Sequence, residues 1–267
     1  AEGGQVDAQY YMGRTYALAV GVKQDFIEAK RWWRMAADQG HVPAQYNMGM
    51  VLLKSKKEGE RPEGMNLLKK AVHNKFDRAE FLMGEVALRG INMPKNDAVA
   101  FRHYEKSAKQ GYLRGQYLVG RALIRGVGVK SDSVAASVWL TLALKNHGLT
   151  PGQVARSNDP LAVMIRNATV IKHNLGATLT ADQLLEVRLR SRKFQAAPSL
   201  ATQKSRAGLM AADATFLASL SIEELKKHAA DGNKIAKVRL AEMYFNGKVI
   251  GGQVIIRKNL KESLRLN

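Results

Sequence analysis

Side chains able to do chemistry are thinly spread along this 267-residue chain. Its histidines are His41, His73, His103, His147, His173 and His228. No His-x-x-x-His pair or other zinc-type spacing occurs, and the absence of cysteine excludes disulfides and thiolate metal sites. Gly126-Val127-Gly128 has the start of a phosphate-binding glycine loop, but the pattern is incomplete and no strand precedes it. A Gly-x-Ser-x-Gly nucleophile elbow is missing, and the acidic residues are scattered, with no pair forced together by spacing. These patterns argue against catalysis, so no catalytic residue, metal ligand or cofactor is expected.

Residues suited to recognition, by contrast, recur in phase. Tyr10, Tyr46, Phe81 and Tyr117 each lie three residues before a glycine: Gly13, Gly49, Gly84 and Gly120. Arg14 and Arg121 follow the glycine directly, while Lys54, Arg89 and Arg125 lie five beyond it. On one helix face of successive units, the rings would stack as an aromatic ladder beside a basic strip. Such a surface suits an acidic segment of a partner protein. Aromatic packing between helices and an ordinary solvated surface are the competing uses of the same residues.

The elements that must position these side chains are set by the glycines, which are spaced by 36, 35 and 36 residues. A fixed period in this range marks a helical solenoid, with each unit stacked on its neighbours. Five residues before each glycine stand Ala8, Ala44, Ala79 and Gly115; one before stand Met12, Met48, Met83 and Val119. Tyr16, Leu52, Ala87 and Leu123 follow three residues after. These offsets draw an apolar stripe with a notch of small residues on a first helix, A. Glycine inside a helix costs about 1 kcal/mol relative to alanine, so four in register imply close approach of another helix. A second helix, B, carries Ala29, Gly64, Ala100 and Ala136 in register, then Trp32, Leu67, His103 and Trp139, then Trp33, Leu68, Tyr104 and Leu140. Asp25 and Asp132 suit its start as caps. Gly40 and Gly111 suit its stop.

The stretches Ala8–Tyr16, Gly21–Asp25 and Ala29–Gly40 resemble a Sel1-like repeat, a cousin of the tetratricopeptide repeat with a longer, glycine-containing loop between its helices. Gly126–Asp132 matches that loop in the fourth unit. The resemblance covers about 7–148, and unit two departs from it in its loop, Lys54–Glu60, and in its end, Val72-His73-Asn74-Lys75, which lacks the glycine. It implies an all-α, right-handed superhelical solenoid of antiparallel helix pairs whose A helices line the concave face. It also implies bacterial roles in envelope assembly, signalling or host interaction, in periplasmic regulators or secreted effectors.

Beyond four repeats at 1–148, residues 149–195 read as capping helices, with Leu161–Leu175 after Asp159-Pro160 and a capping box at Thr180–Gln183. Residues 196–220 read as a linker. A further, partial repeat is expected at 221–267: a capping box at Ser221–Glu224, a helix end at Ala229–Gly232, a helix A through Ala236, Leu240, Ala241 and Tyr244, and a helix B from Asn259 to Leu266. No apolar run is long enough to span a bilayer. The start Ala1-Glu2-Gly3-Gly4 is compatible with a cleaved signal, so a periplasmic or secreted location is expected, with a cytoplasmic one as the alternative. The net charge of +19, split almost evenly at residue 148, attracts anionic partners. Arg188, Arg190, Arg192 and Lys193 read as a solvated helix side or a surface for acidic lipid or protein. The expected function is a non-catalytic protein-interaction scaffold; the alternative is a binder of nucleic acid or another anionic polymer, with stacking and phosphate contacts.

Overall fold

The computed structural model describes residues 2–19, 23–145, 147, 149, 151–203, 205–206, 249–250 and 253–254. The chain divides into two compact units, Ala1–Gln203 and Lys204–Asn267. The first is an all-α array of helix pairs: α1 (Glu2–Leu18) with α2 (Phe26–Asp38), α3 (Val42–Leu53) with α4 (Glu60–His73), α5 (Asp77–Arg89) with α6 (Asp97–Lys109), and α7 (Leu113–Arg125) with α8 (Ser133–Lys145). Then follow α9 (Pro151–Arg156), α10 (Pro160–Gly176) and α11 (Ala181–Lys193). In the second unit, β1 (Val249–Ile250) pairs antiparallel with β2 (Gln253–Val254). The other features expected at 221–267 lie outside the described residues.

Each pair closes where a bulky residue of its second helix meets the glycine of its first. Trp33 covers Gly13, Tyr104 covers Gly84 and Leu140 covers Gly120. A Cβ at Gly84 would stand 2.5 Å from Tyr104 Cε1, and one at Gly120 would stand 2.9 Å from Leu140 Cγ. In the second pair the backbones themselves meet: a Cβ at Gly49 would lie 3.0 Å from the Gly64 carbonyl oxygen and 3.1 Å from the Leu68 nitrogen. The cores grow from these crossings, with Trp33, Met48 and Leu52 in one cluster and Leu68, Phe76 and Met83 in the next.

Polar residues tie the pairs together. Buried Gln45 and Gln116 each donate from Nε2 to a carbonyl at the end of the preceding helix, Ala37 at 3.4 Å and Ala108 at 3.3 Å. At the same register the third pair carries Glu80, which is only 3% exposed and lies 2.7 Å from His103 Nδ1. Asp25 caps α2, accepting from the Ile27 and Glu28 amides at 2.8 and 3.0 Å. Asp132 accepts from the Ala135 amide at 2.8 Å. Thr180 and Gln183 complete a reciprocal capping box on α11.

Helices α10 and α11 both pack on α8, Met164 and Ile165 joining Leu140 and Ala143, and Val187 joining Val138 and Leu142. The stretch expected to be open linker differs from that reading over 196–203. The Ala197 amide donates to the Lys109 carbonyl at 3.0 Å, and the Ser199 amide and Thr202 hydroxyl donate to Gln110 Oε1 at 3.0 and 2.9 Å. Thr202 Oγ1 in turn accepts from the Asp77 amide at 3.0 Å. A polar, Ser- and Thr-rich segment therefore docks because it answers helix-end groups, with Thr202 fully buried.

His41 caps α3 with a ring nitrogen: Nδ1 accepts from the Ala44 amide at 3.2 Å, while Nε2 faces Asp7 Oδ1 at 3.1 Å. Burial lowers its pKa from the ordinary 6.5, against the raising effect of the Asp7 carboxylate and its hydrogen bond. The folded state then binds this proton less readily than the unfolded chain. Its contribution to stability is full above about pH 6.5 and declines as pH falls through that value towards the lowered one. His41→Asn keeps a capping side chain but does not titrate, so its thermal melt should lose less than the wild type between about pH 7.5 and 5.5.

Two backbone substitutions carry opposite signs. Gly84→Ala should destabilise by about 1–3 kcal/mol, because the Tyr104 ring has to move. At the turns between pairs, Gly40 and Gly111 take φ of +85° and +84°, whereas Lys75 takes +54° as a non-glycine. Lys75→Gly should therefore stabilise by about 1 kcal/mol in urea denaturation.

Candidate functional site

The facing sides of α5 and α7, with α6 behind them, enclose a cavity of about 310 Å³. From α5 come Glu85, Leu88 and Arg89; from α6, Asp97, Ala100, Phe101 and Tyr104; from α7, Leu118, Arg121, Ala122 and Arg125; Val127 closes one side from the following loop. Leu118, Arg121 and Arg125 share a face because their spacing is three and then four.

Charges in the cavity are unequally matched. Glu85 accepts the Tyr104 hydroxyl at 2.7 Å on Oε1 and Arg89 Nη2 at 2.8 Å on Oε2. Burial drives the Tyr104 phenol far above its ordinary range, and the hydrogen bond to Glu85 drives it further, so the hydroxyl stays a donor. Asp97 has the Lys95 ammonium at 3.5 Å. The Arg121 guanidinium lies 5.6 Å from the centre of the Tyr117 ring. Among the described residues neither Arg121 nor Arg125 has a carboxylate partner. The arrangement can hold an anion beside an apolar surface; among the described residues no cluster of His, Asp or Glu could hold a metal ion.

Of the residues singled out by spacing, Arg89, Arg121 and Arg125 meet here, with Tyr117 beneath Arg121. The others stand apart. Arg14 lies 5.9 Å from the Tyr11 ring, and Lys54 is exposed just beyond α3. The expected aromatic ladder does not form. Tyr10 and Tyr117 are only 4% and 8% exposed. Tyr10 packs on Tyr11 and His41, Tyr46 on Phe76, and Phe81 on Tyr104 and Tyr112. Each ring turns into its own helix junction, where burying its area is favourable, instead of facing the ring of the next repeat.

Two residues not picked out by the glycine register also matter. Arg78 and Arg114 lie near enough to Tyr46 to lower its phenol's pKa, although burial and the neighbouring Tyr112 outweigh them and push it up to about 12. Arg114, Leu118, Arg121 and Arg125 are spaced four, three and four apart, and that periodicity was the signal for a single basic face on α7.

The Sel1 repeat pattern matches residues 6–41, 42–74, 77–112, 113–147 and 235–266, well over half of the chain. The chain belongs to the Sel1-repeat family. It is 24% identical to an uncharacterised protein of Neisseria meningitidis serogroup B over 158 residues, which is 59% of this Sel1-repeat chain and 33% of the relative. A Sel1-like repeat-containing protein of Acanthamoeba polyphaga mimivirus is 29% identical over 126 residues, 47% of this chain and 22% of that one. The chain thus spans a third or less of either relative. The crystal structure of a protective antigen of uropathogenic Escherichia coli, which displays an SLR fold, superposes with a TM-score of 0.60 at 27% identity, covering 77% of this chain and 41% of the antigen. A Sel1 repeat protein from Oxalobacter formigenes shares the fold, with a TM-score of 0.51 at 22% identity over 98% of this chain and 83% of that one. Sel1-repeat proteins are generally protein-interaction scaffolds, and among the described residues of this one no helix is long and apolar enough to cross a membrane.

The Tyr104–Glu85 contact gives a direct check on the site's rigidity. Tyr104→Phe should cost about 1.5 kcal/mol, measured by urea denaturation, because it removes a hydrogen bond to a charged acceptor. Glu85→Gln, which keeps an acceptor for the hydroxyl, should cost less.

Proposed function

We propose that this Sel1-repeat chain is a non-catalytic scaffold that captures an acidic segment of a partner protein on the concave, helix-A face of its third and fourth repeats. The observation that carries this reading is the pair of guanidiniums, Arg121 and Arg125, on one face of α7, neither with a carboxylate partner among the described residues. A carboxylate brought to them gains charge-assisted hydrogen bonds without displacing an existing partner. The net charge of +19 adds long-range attraction, which raises the rate of encounter. The proposed setting is the bacterial envelope or the cell exterior, where a protein of this kind assembles, signals or meets a host. The likeness to the Escherichia coli antigen supports that setting.

A second reading, binding of single-stranded nucleic acid or another anionic polymer, draws on the same charge. It is less favoured because the rings that would stack on bases are turned inward, with Tyr10 and Tyr117 buried. Fluorescence anisotropy with a short acidic peptide and a single-stranded oligonucleotide separates the two. The peptide should bind, and the double variant Arg121→Glu/Arg125→Glu should weaken it at least about tenfold with an unchanged melting temperature. Oligonucleotide affinity should fall away steeply between about 50 and 200 mM salt. Peptide affinity unaltered by the double variant would remove these arginines from the site.

A further inference from the structure

The cavity between α5 and α7 has an apolar wall and a charged one. Leu88, Phe101, Leu118 and Ala122 are half-buried around it, while Arg125 is exposed. The back is fixed: the Tyr104 ring lies against Gly84, and its hydroxyl is held by Glu85. Both Glu85 oxygens already have donors, so this carboxylate offers little repulsion to an incoming acid. A flat charged strip would need none of this concavity. At about 310 Å³ the cavity is at the small end of ligand pockets. That size suits one large side chain better than an extended cofactor.

We infer that this cavity is an anchor pocket: it takes one bulky apolar side chain of an acidic peptide, while acidic side chains beside that residue pair with Arg121 and Arg125. The inference rests on the acidic-partner reading above and adds what selects among acidic partners. Charge complementarity decides the class of occupant, because among the described residues Arg121 and Arg125 are the cavity cations without a carboxylate partner. Apolar anchors seated in a pocket and ringed by polar contacts carry most of the energy of such interfaces. The two arginines alone would bind acidic chains with little discrimination.

The test uses the full chain and three short, end-blocked, fluorescein-labelled peptides. One has a phenylalanine flanked by glutamates, one has alanine in its place, and one keeps the phenylalanine but replaces the glutamates by serine. Anisotropy at about 0.1 M salt should show the first binding about tenfold more tightly than either of the others. Val127→Trp, placed on an exposed loop at the cavity wall, should abolish the preference for phenylalanine over alanine and leave the alanine peptide's affinity unchanged. Ala122→Leu, from the helical wall, should do the same and serves if the tryptophan variant does not fold. Equal affinity for the phenylalanine and alanine peptides would overturn the anchor pocket and leave the acidic-partner reading standing. A serine peptide bound as tightly as the first would overturn the pairing with Arg121 and Arg125. Preference retained in both cavity variants would place the anchor elsewhere. Failure of all three peptides to bind would remove the acidic-partner reading, and the pocket with it.

Discussion

Every helix pair of this array depends on its second helix reaching the bare backbone of its first, through a bulky side chain in three pairs and through backbone in the second. Trp33, Tyr104 and Leu140 do this over Gly13, Gly84 and Gly120, and in the second pair Leu68 and Gly64 bring backbone against Gly49. The contact is tight because the glycine's own backbone cannot retreat, so an added side chain would have to displace the partner helix or its ring. It sets the distance between paired helices, and the positions of all other facing side chains follow from that distance. The same contact serves the candidate site. The ring that fills the Gly84 notch is that of Tyr104, whose hydroxyl holds Glu85 at the back of the cavity.

The glycine notch was legible in the sequence because it repeats. Four glycines, four small residues on helix B and four bulky ones after them share a register, and packing of a solenoid depends on register. The caps at Asp25, Asp132 and Thr180 were legible because capping is local. The direction of the rings was not. An aromatic three residues before the glycine serves equally on an open face or in a junction, and only the angle at which the next repeat arrives decides. Arg78 and Arg114 were not legible in the same way, because they lie six residues before the glycine, outside the basic positions that follow it, and their nearness to Tyr46 depends on packing between repeats. The docking of 196–203 was illegible, since its partners Asp77 and Gln110 are 125 and 92 residues away from Thr202 and no local pattern reports such a pairing.

Variation among the repeats is as informative as their agreement. The glutamines that answer helix-end carbonyls in two junctions are replaced in the third pair by Glu80, with His103 opposite it. A buried ionisable pair of this kind is weak evidence for stability, since an apolar replacement of similar shape often folds as well. It is found in the pair that also contributes α5 and α6 to the cavity. The third repeat thus departs from its neighbours in polarity at the junction of its two helices, the same two that line the cavity.

A linear stack of helix pairs folds from contacts between near neighbours and frays from whichever end is open. The segment 196–203 departs from that economy by tying itself to Asp77, Lys109 and Gln110. The chain from α7 to α11 thereby becomes a closed circuit anchored at its far side to the third repeat. Closing a circuit of that length has an entropic cost that neighbouring repeats do not share, so this part of the array should assemble late and more slowly. Once closed, the stretch after α11 is held by the helix ends that bond Thr202, and fraying on that side of the first unit has to break these bonds as well.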